Sequence, residues 1–327
     1  MFMEKLTEIV EKRGRHAFEK AGDAIHRMAS SKGSVSSALE YFSKVTLMRG
    51  LPVFPALISL SCEAVGGNPN KTPSIGAALT LLAAAADIHD DVIDQSETKY
   101  GKATVFGKFG SNVAILTGDA LLFKGFSLLN REYEMLPKKQ RMKIQNLLLE
   151  AFCEISGAET TETALRNLTK TPQEYMKTIE AKAAVPELHC KIGAIIGNGS
   201  EEAIKSFGRY GRIFGVLSII RDEFIDLFEY AELRNRIKHE VLPLPVLYAM
   251  QDAEIASQVD AFLKRVNFTE KAEYKFATLV SGSIKVQTLR KMLINLKSDG
   301  VNCIASLENK DTAKELTILL SANLEEL

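Results

Sequence analysis

The sequence has no surplus of charge of either sign: 41 basic and 41 acidic side chains cancel to a formal net charge of zero. Nucleic-acid binders normally carry a basic excess to meet phosphate, so the balance argues against a nucleic-acid partner. The four cysteines, Cys62, Cys153, Cys190 and Cys303, include no CxxC pair. That argues against a disulfide framework or a cysteine-ligated zinc site, and fits thiols held in a reducing compartment. No uninterrupted apolar run reaches the ~18 residues that a membrane span needs. The nearest approach, Ile75 to Ala86, runs straight into Asp87. The stretch MFMEKLTEIVEKRGRHAFEK at the N-terminus is charged throughout and has no apolar signal core. The expectation is a cytoplasmic protein, with peripheral membrane contact left open.

Strand patterns are almost missing too. Alternating β-branched runs are rare, glycine (21) and proline (9) are sparse, and apolar residues recur at helical spacing. The 327 residues, 46% hydrophobic and 25% charged, suit a globular protein with a substantial core. The expected fold is all-α: one large helical domain over residues 1–327, with about ten helices of roughly 12–30 residues. Thr72-Pro73 and Thr171-Pro172 each read as an N-cap followed by proline at the first helical position. Thr171 with Glu174 fits a capping box. Breaks are expected near Arg49–Pro55, Gly66–Pro69, Leu136-Pro137, Gly197–Ser200, Pro243–Pro245 and Ser298–Gly300. The tail, 264–327, carries no motif and reads as an appended helical layer.

Two short acidic clusters carry the chemistry. The first is Asp87-Ile88-His89-Asp90-Asp91-Val92-Ile93-Asp94, directly after an alanine run. On a helix, Asp90 and Asp94 are four apart and Asp91 and Asp94 three apart, so they converge on one face. Stacked like charges beside a buried run are costly without compensation. Bound metal offsets that cost, and carboxylate-only ligation selects a hard cation; beside phosphate, Mg²⁺ is favoured. The second cluster, Asp222-Glu223-Phe224-Ile225-Asp226, repeats the spacing after the apolar run 213–220. A single acidic triplet is usually a solvated helix face; two copies behind core-type helices are not.

On these residues the chain resembles the trans-polyprenyl diphosphate synthase family of class I isoprenoid synthases. Asp90, Asp91 and Asp94 match its first aspartate-rich motif. Asp222, Glu223 and Asp226 match the second, with glutamate at one position. Gly118-Asp119-Ala120-Leu121-Leu122, the Glu63–Gly67 segment, and Tyr175 followed by Lys182-Ala183-Ala184 add support. The resemblance runs from about residue 51 to 250. It implies an isoprenoid synthase bundle around a central cavity, and a prenyltransferase of isoprenoid biosynthesis. It implies three Mg²⁺ ions held by the six carboxylates against the diphosphate of an allylic prenyl donor. Lys182 matches the family's diphosphate lysine, Lys99 stands at an arginine position after the first motif, and Lys238 falls near a further lysine position. A homodimer is implied as well.

The departures fall on one subsite. The family holds a second substrate, isopentenyl diphosphate, with a Gly-Gly-Lys-Arg-x-Arg-Pro loop. Here that loop reads Arg49-Gly50-Leu51-Pro52-Val53-Phe54-Pro55. A family histidine falls on Ala83, and Arg-Arg-Gly becomes Lys99-Tyr100-Gly101. Each lost charge-assisted bond is worth roughly 1.5–3 kcal/mol, so the acceptor is expected to be something other than isopentenyl diphosphate. Ala85 and Ala86 stand where bulky family residues floor the pocket, which implies a prenyl chain of about twenty carbons or longer. A conventional polyprenyl diphosphate synthase that elongates with isopentenyl diphosphate, a non-catalytic partner subunit of a heteromeric synthase and a class I terpene cyclase are the competing readings.

Overall fold

The computed structural model describes residues 2–29, 32–99, 101–165, 171–264 and 269–325. Among them are sixteen α-helices and one two-stranded ribbon. The helices are more numerous and several are shorter than the periodicity suggests, because short pieces such as α5 (Val105–Phe109) and α12 (Leu244–Ala249) connect the long ones.

Two long helices organise the site. The first, α4 (Pro73–Ile93), is apolar over most of its circumference and buries residues from Ile75 to Leu81 without a break. Such a helix belongs inside a bundle. It packs along α6 (Ser111–Tyr133), α1 (Phe2–Met28) and α3 (Val53–Ala64). The second, α10 (Glu201–Asp226), packs on α9 (Ala184–Ile196) and on α15 (Ile284–Ile304). Between the two lie α3 and α9, which approach closely at Gly193. A Cβ there would sit 2.3 Å from the Ile58 carbonyl oxygen. Both α4 and α10 therefore run through the core, and both end in an acidic motif.

The capping expectations divide. Thr171 and Glu174 form the capping box that starts α8 (Pro172–Lys182), with the Glu174 amide donating to Thr171 Oγ1 at 3.3 Å. Thr72 does not cap α4; its hydroxyl donates to the Pro69 carbonyl instead, at 2.8 Å. Ser298–Gly300 is not a break but lies inside α15. Gly300 serves packing there, since a Cβ would come within 2.7 Å of Leu320 in α16 (Lys310–Ala322).

The tail is not an outer layer. Phe276 and Val280 of α14 (Glu270–Gly282), Leu289 and Leu293 of α15, and Leu316 and Leu320 of α16 belong to the same buried cluster as Tyr210 and Leu217 of α10. Arg13 of α1 fastens α16 to α3 through Glu63 (2.5 Å) and Glu315 (2.8 Å).

Two helices carry exposed apolar side chains among the described residues. Leu116, Phe123 and Phe126 of α6 and Met142, Leu149 and Phe152 of α7 (Lys138–Leu165) are all exposed, Phe123 at 76%. By length and composition α6 could cross a membrane. Asp119 and Lys124 interrupt it, however, and its other side is seated on α4.

Candidate active site

The first motif occupies the last turn of α4. Asp94 is the C-cap, and the chain then turns through Gln95 in the left-handed region (φ 54°). The Ser96 amide closes the turn on the Asp91 carbonyl at 2.9 Å, a Schellman-type helix end. The ribbon formed by β1 (Thr98–Lys99) and β2 (Lys102–Ala103) follows at once and swings Lys99 back over the motif. Lys99 Nζ lies 2.9 Å from Asp87 and 2.7 Å from Asp91. Burial works against its charge, but Asp87, Asp91 and Asp90 more than offset this and hold it protonated.

These carboxylates have an unmet need for positive charge. Burial pushes the Asp91 carboxyl up to about 7, against the pull of Lys99. Burial and the neighbouring Asp90 push Asp94 up to about 8. Asp90 Oδ1 is buried and has no hydrogen-bond partner among the described residues. A buried carboxylate oxygen is rarely left so. An oxygen-only donor set with an orphaned oxygen suits a hard divalent cation, so the first motif fits Mg²⁺. Among the described residues no three carboxylates are yet gathered around one point, because Lys99 and Arg236 stand between them.

The second motif occupies the last turn of α10 and is read against α11 (Tyr230–His239). Asp222 is partly exposed and paired with Arg221 at 2.7 Å. Asp226 accepts from Arg236 Nε at 2.7 Å. Glu223 departs from its expected role as a metal ligand. It is fully buried and both its oxygens are engaged: Oε1 by the Tyr175 hydroxyl (2.5 Å) and Arg236 (3.3 Å), Oε2 by the Leu244 amide (2.7 Å). Asp222 and the remaining oxygen of Asp226 are the groups available to a metal ion.

The two motifs meet through α11. Asn235 Nδ2 donates to Glu240 Oε1 at 2.8 Å and to Ser96 Oγ at 3.1 Å, and lies 3.4 Å from the Asp94 carbonyl. Its neighbour Arg236 holds Asp226 and Glu223, and its guanidinium also lies 3.8 Å from Glu240. A path of hydrogen bonds and ion pairs therefore runs from the end of α4 to the end of α10.

Lys182 enters from the end of α8. Its Nζ lies 2.9 Å from Glu159 and 2.5 Å from Glu162, both on α7. Burial opposes the charge, and Glu162, Glu159 and Asp90 more than restore it. Burial pushes Glu159 up to about 7 even with Lys182 beside it. Lys238 is not in this group: it is exposed in the last turn of α11, where Arg236 is the side chain that turns inward.

The sequence reading missed Arg236, Asn235, Glu240, Glu159 and Glu162. Only the glutamate pair left a local trace, two acids three apart on one helix face. The structure gives His89 a place. Its Nε2 lies 3.4 Å from Asp119 and 3.2 Å from the Ile115 carbonyl, and its ring covers Gly118, where a Cβ would be 2.3 Å away. Tyr100 lies outside the described residues. Of the two alanines placed at the chain-length floor, Ala86 is exposed. Ala85 is sealed in the core cluster shared with Ile25 and Leu39, so it has no channel to open.

The loop at 49–55 offers no cation cluster. Arg49 and Leu51 are exposed, and the Phe54 ring lies 5.1 Å from that of buried His189. Arg15 of α1 holds the loop through the Met48 and Gly50 carbonyls (3.3 and 3.2 Å), while its guanidinium is paired with Glu11.

Comparison with known proteins gives the family and the fold. The sequence profile of the family described as Polyprenyl synthetase matches residues 36–279. A short chain isoprenyl diphosphate synthase of Methanothermobacter thermautotrophicus is 32% identical over 180 residues, 54% of this chain and 54% of that one. The chain spans about half the length of the curated relatives it matches. The crystal structure of a geranylgeranyl pyrophosphate synthetase from Pyrococcus horikoshii superposes with a TM-score of 0.84 at 24% identity, covering 100% of this chain and 99% of that one. A geranylgeranyl pyrophosphate synthase from Corynebacterium glutamicum, complexed with isoprenyl diphosphate and magnesium, gives 0.82 at 19% identity over 99% of both chains.

Proposed function

The chain belongs to the polyprenyl synthetase family, and from that premise we propose that it is an Mg²⁺-dependent prenyltransferase whose acceptor is not isopentenyl diphosphate. The observation that carries the catalytic half is the orphaned, buried Asp90 oxygen in a carboxylate cluster tied across α11 to a second one. Asp90, Asp91, Asp94, Asp222 and one oxygen of Asp226 would hold the metal, as three ions. Bound there, Mg²⁺ supplies charge neutralisation for a diphosphate leaving group.

The chain's own residues do the rest. Lys99 and Lys182 sit beside the first motif and would pair with the diphosphate, Lys99 as metal takes Asp91 and Lys182 by turning from Glu159 and Glu162. The allylic C–O bond breaks with its electron pair going to the diphosphate oxygen. The acceptor then donates an electron pair to the allylic carbon and loses a proton. Positive charge aimed at the leaving oxygen is the catalytic contribution.

The acceptor half rests on the loop at 49–55, where Leu51, Pro52 and Phe54 stand in place of cations. An apolar or differently charged acceptor suits it. The small side chain of Ala86, where the resemblance implies a bulky floor, supports a donor or product of about twenty carbons or longer. A second copy of the chain is the partner suited to the α6–α7 face. There Leu116, Phe123 and Phe126, and Met142, Leu149 and Phe152, recur at the seven- and three-residue spacing of a helix-packing stripe. The working place is the cytoplasm.

The test is incubation with Mg²⁺ and allylic diphosphates of ten, fifteen and twenty carbons, each with and without isopentenyl diphosphate, with products identified by mass. Diphosphate release that needs Mg²⁺, without efficient elongation, is the expected result. Efficient elongation at micromolar isopentenyl diphosphate refutes the acceptor reading. No metal-dependent release from any donor refutes the enzyme.

A further inference from the structure

We infer that Arg236 is a positioning residue: with Asn235 and Glu240 it forms a clasp on α11 that fixes the spacing of the two metal-binding helix ends. The inference rests on the metal-dependent reading above and adds a residue to it that neither aspartate motif contains.

Arg236 is a single guanidinium shared among carboxylates from two elements, Asp226 (2.7 Å) and Glu223 (3.3 Å) on α10 and Glu240 (3.8 Å) just after α11. Its side chain is only 16% exposed. A planar fork holds two acceptors in fixed relative positions, which an ammonium cannot do. Asn235, next in the chain, reaches the other way, to Ser96 Oγ at 3.1 Å. Ser96 is buried and its amide is bonded to Asp91, a member of the first motif. Glu240 joins the halves, accepting from Asn235 at 2.8 Å. Three residues of one short segment thus reach both helix ends.

Glu223 fits the same logic. Its two oxygens already accept from Tyr175, Arg236 and Leu244. It acts as the anchor against which the fork is set. Arg236 also takes one oxygen of Asp226, so that carboxylate would offer a metal a single, oriented oxygen rather than a mobile pair. Groups that orient metal ligands commonly change metal affinity 10–100-fold when removed.

The proposal makes a prediction opposite in sign to bare electrostatics. Deleting a cation beside a metal site should tighten metal binding if charge were all that mattered. If Arg236 positions the ligands, deleting it weakens binding.

The experiment is calorimetric titration of Mg²⁺ into the full chain in the presence of inorganic diphosphate, with no prenyl substrate, for wild type, Arg236→Gln, Arg236→Lys and Asn235→Ala. Circular dichroism and thermal melting confirm folding. Expected are a loss of about tenfold or more in Mg²⁺ affinity for R236Q, a smaller loss for R236K, and about threefold or more for N235A. N235A leaves every Arg236 ion pair in place, so it carries the test if R236Q fails to fold. Unchanged or tighter Mg²⁺ binding in the folded Arg236 variants and in N235A overturns the clasp while the prenyltransferase reading stands. Absence of Mg²⁺ binding in wild type overturns both.

Discussion

Replacing Lys182 with alanine separates the ion pairing seen in the structure from the diphosphate binding proposed for the same ammonium. In the free protein Lys182 lies 2.9 Å from Glu159 and 2.5 Å from Glu162, at 21% side-chain exposure. Removing one partner of a buried ion pair typically costs about 3–5 kcal/mol. Glu159, already pushed up to about 7 by burial, takes a proton once the lysine is gone and so recovers part of that. A net loss of about 1–3 kcal/mol is expected, which for a chain of this size lowers the melting temperature by roughly 2–5 °C. The functional role is larger. One charge-assisted bond to a diphosphate is worth roughly 1.5–3 kcal/mol, so affinity for a non-reactive allylic thiodiphosphate should fall roughly ten- to hundredfold. The companion variant Glu162→Gln releases the lysine instead. It should also lower the melting temperature, but leave analogue affinity equal or tighter. Calorimetry with Mg²⁺ and the analogue, beside a thermal melt, reads both. If Lys182→Ala lowers the melting temperature while analogue affinity stays within threefold of wild type, the lysine is a lock between α8 and α7 and no part of a diphosphate clamp.

Two further outcomes follow from features outside the site. Burial pushes His189 down to about 4 while its Nδ1–H donates to the Val185 carbonyl at 2.7 Å. The unfolded chain takes up this proton near pH 6.5 and the folded one does not until about 4, so stability falls as pH drops through that window. At ~1.4 kcal/mol per pH unit the loss approaches ~3 kcal/mol, and His189→Phe should flatten it in urea melts at pH 7 and pH 4.5; an equally steep loss refutes the assignment. Phe123, 76% exposed at the middle of the α6 stripe, should separate a dimer into monomers when changed to aspartate, read by sedimentation velocity, and a variant that sediments like wild type refutes that interface.

The sequence made the helices and the motifs legible for a local reason. An apolar run with a helical period specifies α4 and α10, and three- and four-residue spacing brings Asp90, Asp91 and Asp94 to one face. Those relations span a single turn. What stayed hidden depends on elements far apart in the chain. Arg236 is ten residues from Asp226 and looks like any surface arginine until α11 folds back. Asn235 meets Ser96 across 139 positions. Lys238 drew attention as the residue type the resemblance implies, yet the periodicity of α11 turns Arg236 inward and Lys238 out. Gly300 looked like a helix stop because glycine weakens helices; its reason for being there, Leu320, lies in another helix.

The charge inventory shows why those distant residues belong together. Both motifs stand at helix C-termini, where the backbone dipole is negative and each carboxylate is disfavoured by about 0.3–1 kcal/mol. The six motif carboxylates are joined by Asp87, Glu159, Glu162 and Glu240, making ten. Against them stand Lys99, Lys182, Arg221 and Arg236, making four. The difference, ten minus four, is six negative charges if every acid is ionised. The free protein sheds part of that by holding protons: burial first, and neighbouring acids after it, push Asp91, Asp94 and Glu159 up to about 7, 8 and 7. Three divalent ions and a trivalent diphosphate would together bring three positive charges and so halve that excess. Under the proposed function, metal and diphosphate would bind as a unit and displace protons. Mg²⁺ affinity in the presence of diphosphate should accordingly rise between pH 6 and 8, with proton release that calorimetry in buffers of different ionisation enthalpy can count. Binding with no proton release at pH 7 would contradict the inventory.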